Sequence, residues 1–357
     1  MVALGVLSSG NTRLASITLP GLLAVWLTAG LAPATPQAAE SVPLRSADVF
    51  TADAPSARAV KRMDELLRER TNNRVTIESI GAASKDSEAY IVNQVRNGQL
   101  DMARINIAVL GGNEPAAAVL SLPYLFRSRA QMRKVLDGPI GEEILAQLGA
   151  QGLIGLCFYD AGARSFYSRT PIRSAADMKD MTVQVPTGEA SVETVKALGA
   201  KPVTMPYAQI ASALQTGAID AVENTWSDYL SGAHYRTALY YSVTEHSRAP
   251  GVLIFSKKIW DGLSSRTRTA IRSAAKESVP FLRDELDTYE ASARKAAAAA
   301  GSQIIDDVDR TSFTDALVPL RDRLLPDRRE RELVQRIRMQ EIATAPEQGQ
   351  GSLPLPK

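Results

Sequence analysis

Few side chains in this sequence are of a type and spacing that could make or break a bond. The chain holds one cysteine, Cys157, and two histidines, His234 and His246. One cysteine excludes an internal disulfide and any cysteine-built metal site. Cys157 sits inside the apolar run Leu153 to Tyr159, whereas a reactive thiolate needs a cationic, partly exposed setting. It reads as a buried small hydrophobe. Neither histidine stands in an H-E-x-x-H context, so a histidine-built metal site is not expected. No G-x-S-x-G nucleophile elbow and no G-x-x-x-x-G-K-[ST] phosphate loop occurs, and Gly111-Gly112 lacks dinucleotide-fingerprint spacing. We read the chain as a non-enzyme without cofactor. An enzyme built on a binding fold would need a carboxylate or tyrosine acid-base pair across a cleft.

Basic residues number 41 and acidic residues 39 among 357, so the net charge is +2. The densest basic stretch, Arg321 to Arg338, is interleaved with Asp and Glu, which makes it a solvated helix face and not a phosphate-tracking surface. A nucleic-acid partner is not expected. At the start, Arg13 is the sole charge before Glu40, and the apolar stretch Leu14 to Leu31 is followed by small residues up to Ala39. That order is a secretory signal peptide. A membrane anchor is the weaker reading, since Pro20 and Gly21 interrupt a segment already marginal in length. The segment within residues 1–39 is therefore expected to be removed, by a cut after Ala34 or Ala39 that each leave alanine last, leaving a periplasmic protein, and the Pro-, Gly- and Gln-rich residues 343–357 to be disordered.

Strand-like and helix-like patterns alternate through the rest, which marks an α/β architecture. Strands are expected at Val42 to Phe50, Arg74 to Ile80, Leu100 to Ile107, Leu153 to Tyr159, Met181 to Val185, Lys201 to Met205, Ala218 to Val222, Tyr240 to Thr244 and Val252 to Ser256. Helices are expected around Ala59 to Leu67, at Tyr90 to Asn97, Ser128 to Leu136, Ala190 to Leu198 and Tyr207 to Gln215. Apolar residues then recur at Ile271, Ala275, Val279, Leu282, Leu286, Tyr289 and Ala293, one face of a helix long enough to span two lobes. Pro280 is expected to kink it.

Seven stretches, in order, resemble the solute-binding proteins of tripartite ATP-independent periplasmic (TRAP) transporters, in particular the C4-dicarboxylate and sugar-acid branch. They are Asn97 to Asn106 (NGQLDMARIN), Ser121 to Arg127 (SLPYLFR), Val135 to Gly141 (VLDGPIG), Tyr159 to Tyr167 (YDAGARSFY), Leu198 to Tyr207 (LGAKPVTMPY), Ala213 to Asn224 (ALQTGAIDAVEN) and Thr244 to Ser247 (TEHS). The resemblance implies a two-lobed periplasmic binding protein fold with a long bridging helix. Residues 41–161 with 251–290 would form the first lobe, and 162–250 with 291–342 the second. It also implies capture of a small organic acid between the lobes and delivery to the small and large subunits of a membrane permease. The chain is expected to act as a monomer. The alternative function is a periplasmic sensor presenting its occupied form to a receptor.

Residue by residue, Arg164 falls on a family arginine that contacts the ligand carboxylate, which suits a planar, permanently charged fork of donors. Its alternative role is a structural ion pair. Asn224 falls on a family asparagine of the cleft, with a turn or cap as its alternative, and Asn106 and Tyr207 on further cleft positions. Arg104, two residues before Asn106, shares its side of the strand and is either a second cation for the ligand or a partner for a nearby acid. Trp226 and Tyr229 resemble aromatics of the sugar-acid branch, with ligand stacking and core packing both open. Two departures stand out. Gln184, in Met181 to Pro186 (MTVQVP), occupies a position where the family normally has an arginine that clamps the carboxylate. Phe50 to Pro55 lacks the His and Tyr the branch often carries. Thr187 could cap the helix that follows, whose N-terminal amides favour an anion.

Overall fold

The computed structural model describes residues 41–80, 88–110, 115–186, 188–325 and 327–340. The expected signal segment, the expected disordered tail and Thr187 lie outside these residues. The chain begins β1 (Val42–Ala47), α1 (Pro55–Thr71), β2 (Val75–Ile80), α2 (Glu88–Asn97), β3 (Met102–Asn106), α3 (Pro115–Leu120), α4 (Arg129–Asp137), α5 (Pro139–Gln147) and β4 (Leu153–Tyr159). It continues β5 (Arg164–Ser168), β6 (Thr182–Gln184), α6 (Glu189–Ala197), β7 (Lys201–Val203), α7 (Tyr207–Thr216), β8 (Ala221–Asn224), α8 (Trp226–Ser231), β9 (Tyr240–Ser247) and β10 (Gly251–Ser256). It closes with α9 (Lys257–Trp260), α10 (Ser265–Ala299), β11 (Gln303–Ile305), α11 (Arg310–Leu324) and α12 (Arg328–Met339).

Two sheets result, one ordered β2-β1-β3-β10-β4 and the other β11-β9-β5-β8-β6-β7. Alternation along each strand supplies two apolar faces. Val252 and Ile254 of β10 join the core under α2 to α5, while Leu253 and Phe255 join the core under α1 and α10. In the second sheet Ala221 faces α6 and α11, whereas Val222 faces α7 and α8. Each sheet is thus covered on both sides, the two-layered burial that parallel strands require.

The chain passes between the sheets at residues 160–163 and 248–250, along α10, and again after α11, where Leu325 and α12 return to the first sheet. That helix is capped by Ser264, whose side chain accepts from the Thr267 amide, and runs 35 residues without ending at Pro280, about 52 Å at the usual rise. Its first half buries Ile271, Ala275 and Val279 against the first sheet, and Ala297 near its end reaches the core of the second.

Two expectations are corrected. Residues 291–342 do not all pack on the second sheet: Leu325 and, on α12, Leu333, Val334 and Ile337 belong to the first sheet's core. Gln131 of α4 donates to the Ile337 carbonyl at 3.1 Å, and Arg336 pairs with Glu143 of α5. The apolar stripe of α12 fits the face that α3 and α4 leave uncovered. The strand expected at Ala218 to Val222 begins instead at Ala221 and runs to Asn224, because the turn that closes α7 takes up the residues before it: Gly217 has φ +75° and the Ile219 amide donates back to the Ala213 carbonyl at 3.3 Å.

Candidate functional site

The carboxyl ends of parallel strands are where open α/β sheets hold ligands, and the residues singled out in the sequence gather there. Gln184 ends β6 and Asn224 ends β8. Because Gln184 is paired with Val222, Gln184 and Asn224 are diagonal neighbours on one face of the sheet. Arg164 opens β5, which runs antiparallel to β8, so it stands at the same edge. In the first sheet Arg104 and Asn106 lie at the end of β3, and Tyr207 opens α7 just past the carboxyl end of β7.

Both arginines are already engaged. Arg164 grips the Glu223 carboxylate through Nε and Nη2, the latter at 2.9 Å, and Nη2 also donates to the Glu223 carbonyl at 2.6 Å. Arg104 donates to Glu88 at 3.3 Å and lies over the Phe50 ring, 5.0 Å from its centroid. Glu88 accepts the Asn106 amide as well, at 3.0 Å. The two clusters share one electrostatic field. Burial raises the Glu88 carboxyl above its usual range while Arg104 and, across the cleft, Arg164 oppose the shift. Asp228 of α8 is raised by burial likewise, with Arg164, its Thr225 hydrogen bond and Arg104 of the other sheet acting against it. Asp48 is also raised by burial and opposed by Arg104. Glu223 is the exception: burial pushes it up, but Arg164 and His246 together hold it down at about 2.

Several side chains are committed locally. The Asn224 side-chain oxygen accepts from the Thr225 amide at 2.9 Å, the turn role left open above. The Asn106 oxygen accepts from the Ala108 amide at 2.9 Å. Tyr207, 47% exposed, hydrogen-bonds the Asp228 carbonyl at 3.3 Å. Trp226 lies flat on Tyr241, with centroids 3.5 Å apart and planes at 12°, and Tyr229 is fully buried beside Tyr241. These aromatics pack the core under α8. Gln184 is 6% exposed, and its amide nitrogen donates to the Val185 carbonyl at 3.0 Å.

Glu223, Glu88, Asp48 and Asp228 were not singled out from sequence, since isolated acids carry no spacing signal. Cys157 is 5% exposed, its thiol pushed up by burial, and its sulfur contacts the Ala275 carbonyl at 3.5 Å. Among the described residues no group of three or more His, Cys, Asp or Glu is placed to hold a metal, and no helix is long and apolar enough to cross a membrane.

The family model for bacterial extracellular solute-binding proteins, family 7, matches residues 46–326. The chain belongs to this family. A solute-binding protein from Chromohalobacter salexigens is 32% identical over 279 residues, covering 78% of this chain and 83% of the relative. The solved TRAP periplasmic solute-binding protein of Bradyrhizobium sp. BTAi1, with bound galacturonate, is 42% identical with a TM-score of 0.79, covering 83% of this chain and 99% of the other. That of Xanthobacter autotrophicus Py2, with bound β-D-galacturonate, is 41% identical with a TM-score of 0.78, covering 82% and 98%. The two-lobed α/β fold with its long helix is therefore that of the family 7 solute-binding proteins, and its business is capture of a solute for transport.

Proposed function

We propose that this family 7 protein captures a small organic acid, a C4-dicarboxylate or a sugar acid, between its two sheets and delivers it to the small and large subunits of a TRAP-type permease. It does so in the periplasm after removal of residues 1–39, and it catalyses no reaction. The carrying observation is that each sheet brings a guanidinium to its strand ends, Arg104 of β3 and Arg164 of β5, each held by a carboxylate, Glu88 at 3.3 Å and Glu223 at 2.9 Å. A ligand touching both favours the closed arrangement by its differential contacts there. Arg164 is the main anion anchor, with Asn224, Asn106, Arg104 and Tyr207 around it, Gln184 setting specificity and Thr187 as a further ligand-binding residue.

The test is thermal unfolding of residues 40–357, refolded from denaturant to strip any bound solute, against dicarboxylates, aldonates, uronates, keto acids and neutral polyols. Stabilisation follows RT ln(1 + [L]/Kd), so millimolar solute reveals micromolar affinity. We expect at least one acid to raise the midpoint by several degrees, and Arg164→Ala to abolish the rise. No stabilisation by any acid would overturn the proposal.

A further inference from the structure

Tyr124 stands in the stretch Ser121 to Arg127 between α3 and α4, and its side chain leaves the core that its neighbours join. Leu122, Leu125 and Phe126 belong to the core of the first sheet, whereas Tyr124 belongs with Phe166, Val183 and Phe313 to the core of the second. Its backbone φ is +49°, in the left-handed region that a bulky side chain adopts only where the surroundings hold it there. Strain of this kind gathers around ligand sites.

What holds Tyr124 is β9. Its amide donates to the His246 carbonyl at 2.8 Å, and its hydroxyl donates to the Thr244 carbonyl at 3.1 Å. Between those two carbonyls lies Glu245, itself left-handed at φ +46°. The strand is bulged here. Arg164 of β5 pairs with Ser247 and Phe166 with Ser242, so Ser165 alone faces the four residues Val243 to His246. Bulged residues lose their places in the ladder, and their buried carbonyls need other partners. Arg310 donates to the Val243 carbonyl at 3.1 Å, and Tyr124, reaching over from the first sheet's helices, serves Thr244 and His246.

A bulge beside a site re-aims a side chain, and the one aimed here is His246. It is buried, with Nδ1 2.9 Å from Thr244 Oγ1 and Nε2 3.2 Å from Glu223. Glu223 in turn accepts from Arg164 Nη2 at 2.9 Å. The two ends of Tyr124 therefore fasten the backbone that orients His246, His246 braces Glu223, and Glu223 holds the Arg164 fork.

We propose that Tyr124 is a positioning residue for solute capture: seated from the first lobe, it keeps the β9 bulge in the shape that presents His246 to Glu223 and so sets the Arg164 fork for an anion. The anchor on the second sheet is then incomplete without a residue of the first lobe. This rests on the reading of Arg164 as the anchor of an organic acid and adds to it the residue that aims that anchor.

The experiment is titration calorimetry with D-galacturonate, or with whichever acid of the thermal screen stabilises the wild type most, the ligand-free unfolding midpoint of each variant being recorded alongside. Tyr124→Phe keeps the ring and the amide bond to His246 and removes only the bond to the Thr244 carbonyl. We expect it to weaken acid binding about two- to tenfold, as for one lost neutral hydrogen bond. Tyr124→Gly, which adopts a positive φ freely but withdraws the ring, is expected to weaken it at least as much. Tyr124→Phe leaves the core filled and decides the matter should the glycine variant fail to fold. His246→Phe can still stack on Phe166 but no longer reaches Glu223. In that background Tyr124→Phe is expected to cost no further affinity, the coupling that a route through His246 requires. Leu317→Ala, a cavity in the same core on α11, is expected to lower the unfolding midpoint and leave affinity unchanged. Unchanged affinity in Tyr124→Phe overturns the proposal. So does a loss from Tyr124→Phe that is equal in wild type and in His246→Phe, or a loss in Leu317→Ala as large as that in Tyr124→Phe. Binding of no acid by the wild type overturns instead the organic-acid reading on which the proposal stands.

Discussion

Arg164 and Glu223 form a two-pronged ion pair across β5 and β8, and Glu223 takes a third partner, His246 Nε2, at 3.2 Å. His246 is in turn stacked on Phe166, with centroids 4.3 Å apart. The planar fork of Arg164 is thereby fixed before any solute arrives, so little side-chain entropy is left to lose when an anion binds. The same geometry makes Arg164 structural as well as functional.

Removing the cation alone exposes that double role. Glu223 is 2% exposed, and Arg164→Ala leaves its carboxylate buried beside His246 only. Breaking a buried pair from one side costs about 3 to 5 kcal/mol. Urea unfolding of Arg164→Ala is expected to show a loss of this order, and Glu223→Gln, which keeps an acceptor for the guanidinium, a smaller one. Equal midpoints for wild type and Arg164→Ala would mean that the pair is not formed in solution.

Two buried groups should each lose stability in acid. His234 is buried, with Nδ1 2.8 Å from the Tyr167 hydroxyl, and burial lowers its pKa from 6.5 to about 4. Between these values the unfolded chain binds a proton that the folded chain refuses, so the stability present above pH 6.5 falls as pH drops toward 4. Glu223, held down at about 2 from 4.5, adds a second loss as pH drops from 4.5 toward 2. The carboxyls of Asp48, Glu88 and Asp228, raised by burial, act with the opposite sign and add stability as pH falls, so each loss is read as the difference in denaturant midpoint between wild type and a variant from pH 7.5 to 2.5. His234→Gln should flatten the upper window and leave the lower one.

How far the sequence reveals such a site depends on what kind of signal each part leaves. The strand expected at Leu153 to Tyr159 matches β4 residue for residue, because a continuous apolar run flanked by turn residues has one good solution. The long helix was legible from its 3.6-residue stripe. β5 was not: Arg-Ser-Phe-Tyr-Ser is short and mixed, and it is a strand because β8 and β9 pair with it on both sides. The charges of Arg321 to Arg338 read as a solvated helix face and hid the apolar Leu333, Val334 and Ile337 that α12 buries in the first sheet's core. In the site, Arg164, Asn106 and Asn224 were visible through resemblance and Arg104 through strand alternation from Asn106. The carboxylates that hold those arginines do so only once separate elements are brought together.

Trp226 offers a clean separation of packing from recognition. Its ring covers Tyr241 and also borders a cavity of about 200 Å³ beside Arg129, Glu245 and Glu290. Truncating a well-packed aromatic costs about 3 to 5 kcal/mol. Trp226→Ala is expected to lose stability on that scale while changing solute affinity by less than about tenfold, the worth of ~1.4 kcal/mol. A larger loss of affinity than of stability would make the indole a ligand contact.

The crossing between the sheets carries its own constraint at Gly162. Its φ is +81°, and a Cβ there would collide with Glu290 Oε1, whose other oxygen is held by Arg129 of α4. Gly199, with φ +78°, has the Lys179 Cα at 3.8 Å as its nearest neighbour. An L side chain in the left-handed region costs about 1 to 2 kcal/mol, so Gly199→Ala should lose that much and Gly162→Ala measurably more, because Glu290 must also yield. Glu290→Ala in the Gly162→Ala background should then bring the added cost of alanine at 162 down to that at 199. If both alanines cost the same in the parent protein, the approach of Glu290 to Gly162 is not part of the folded state in solution.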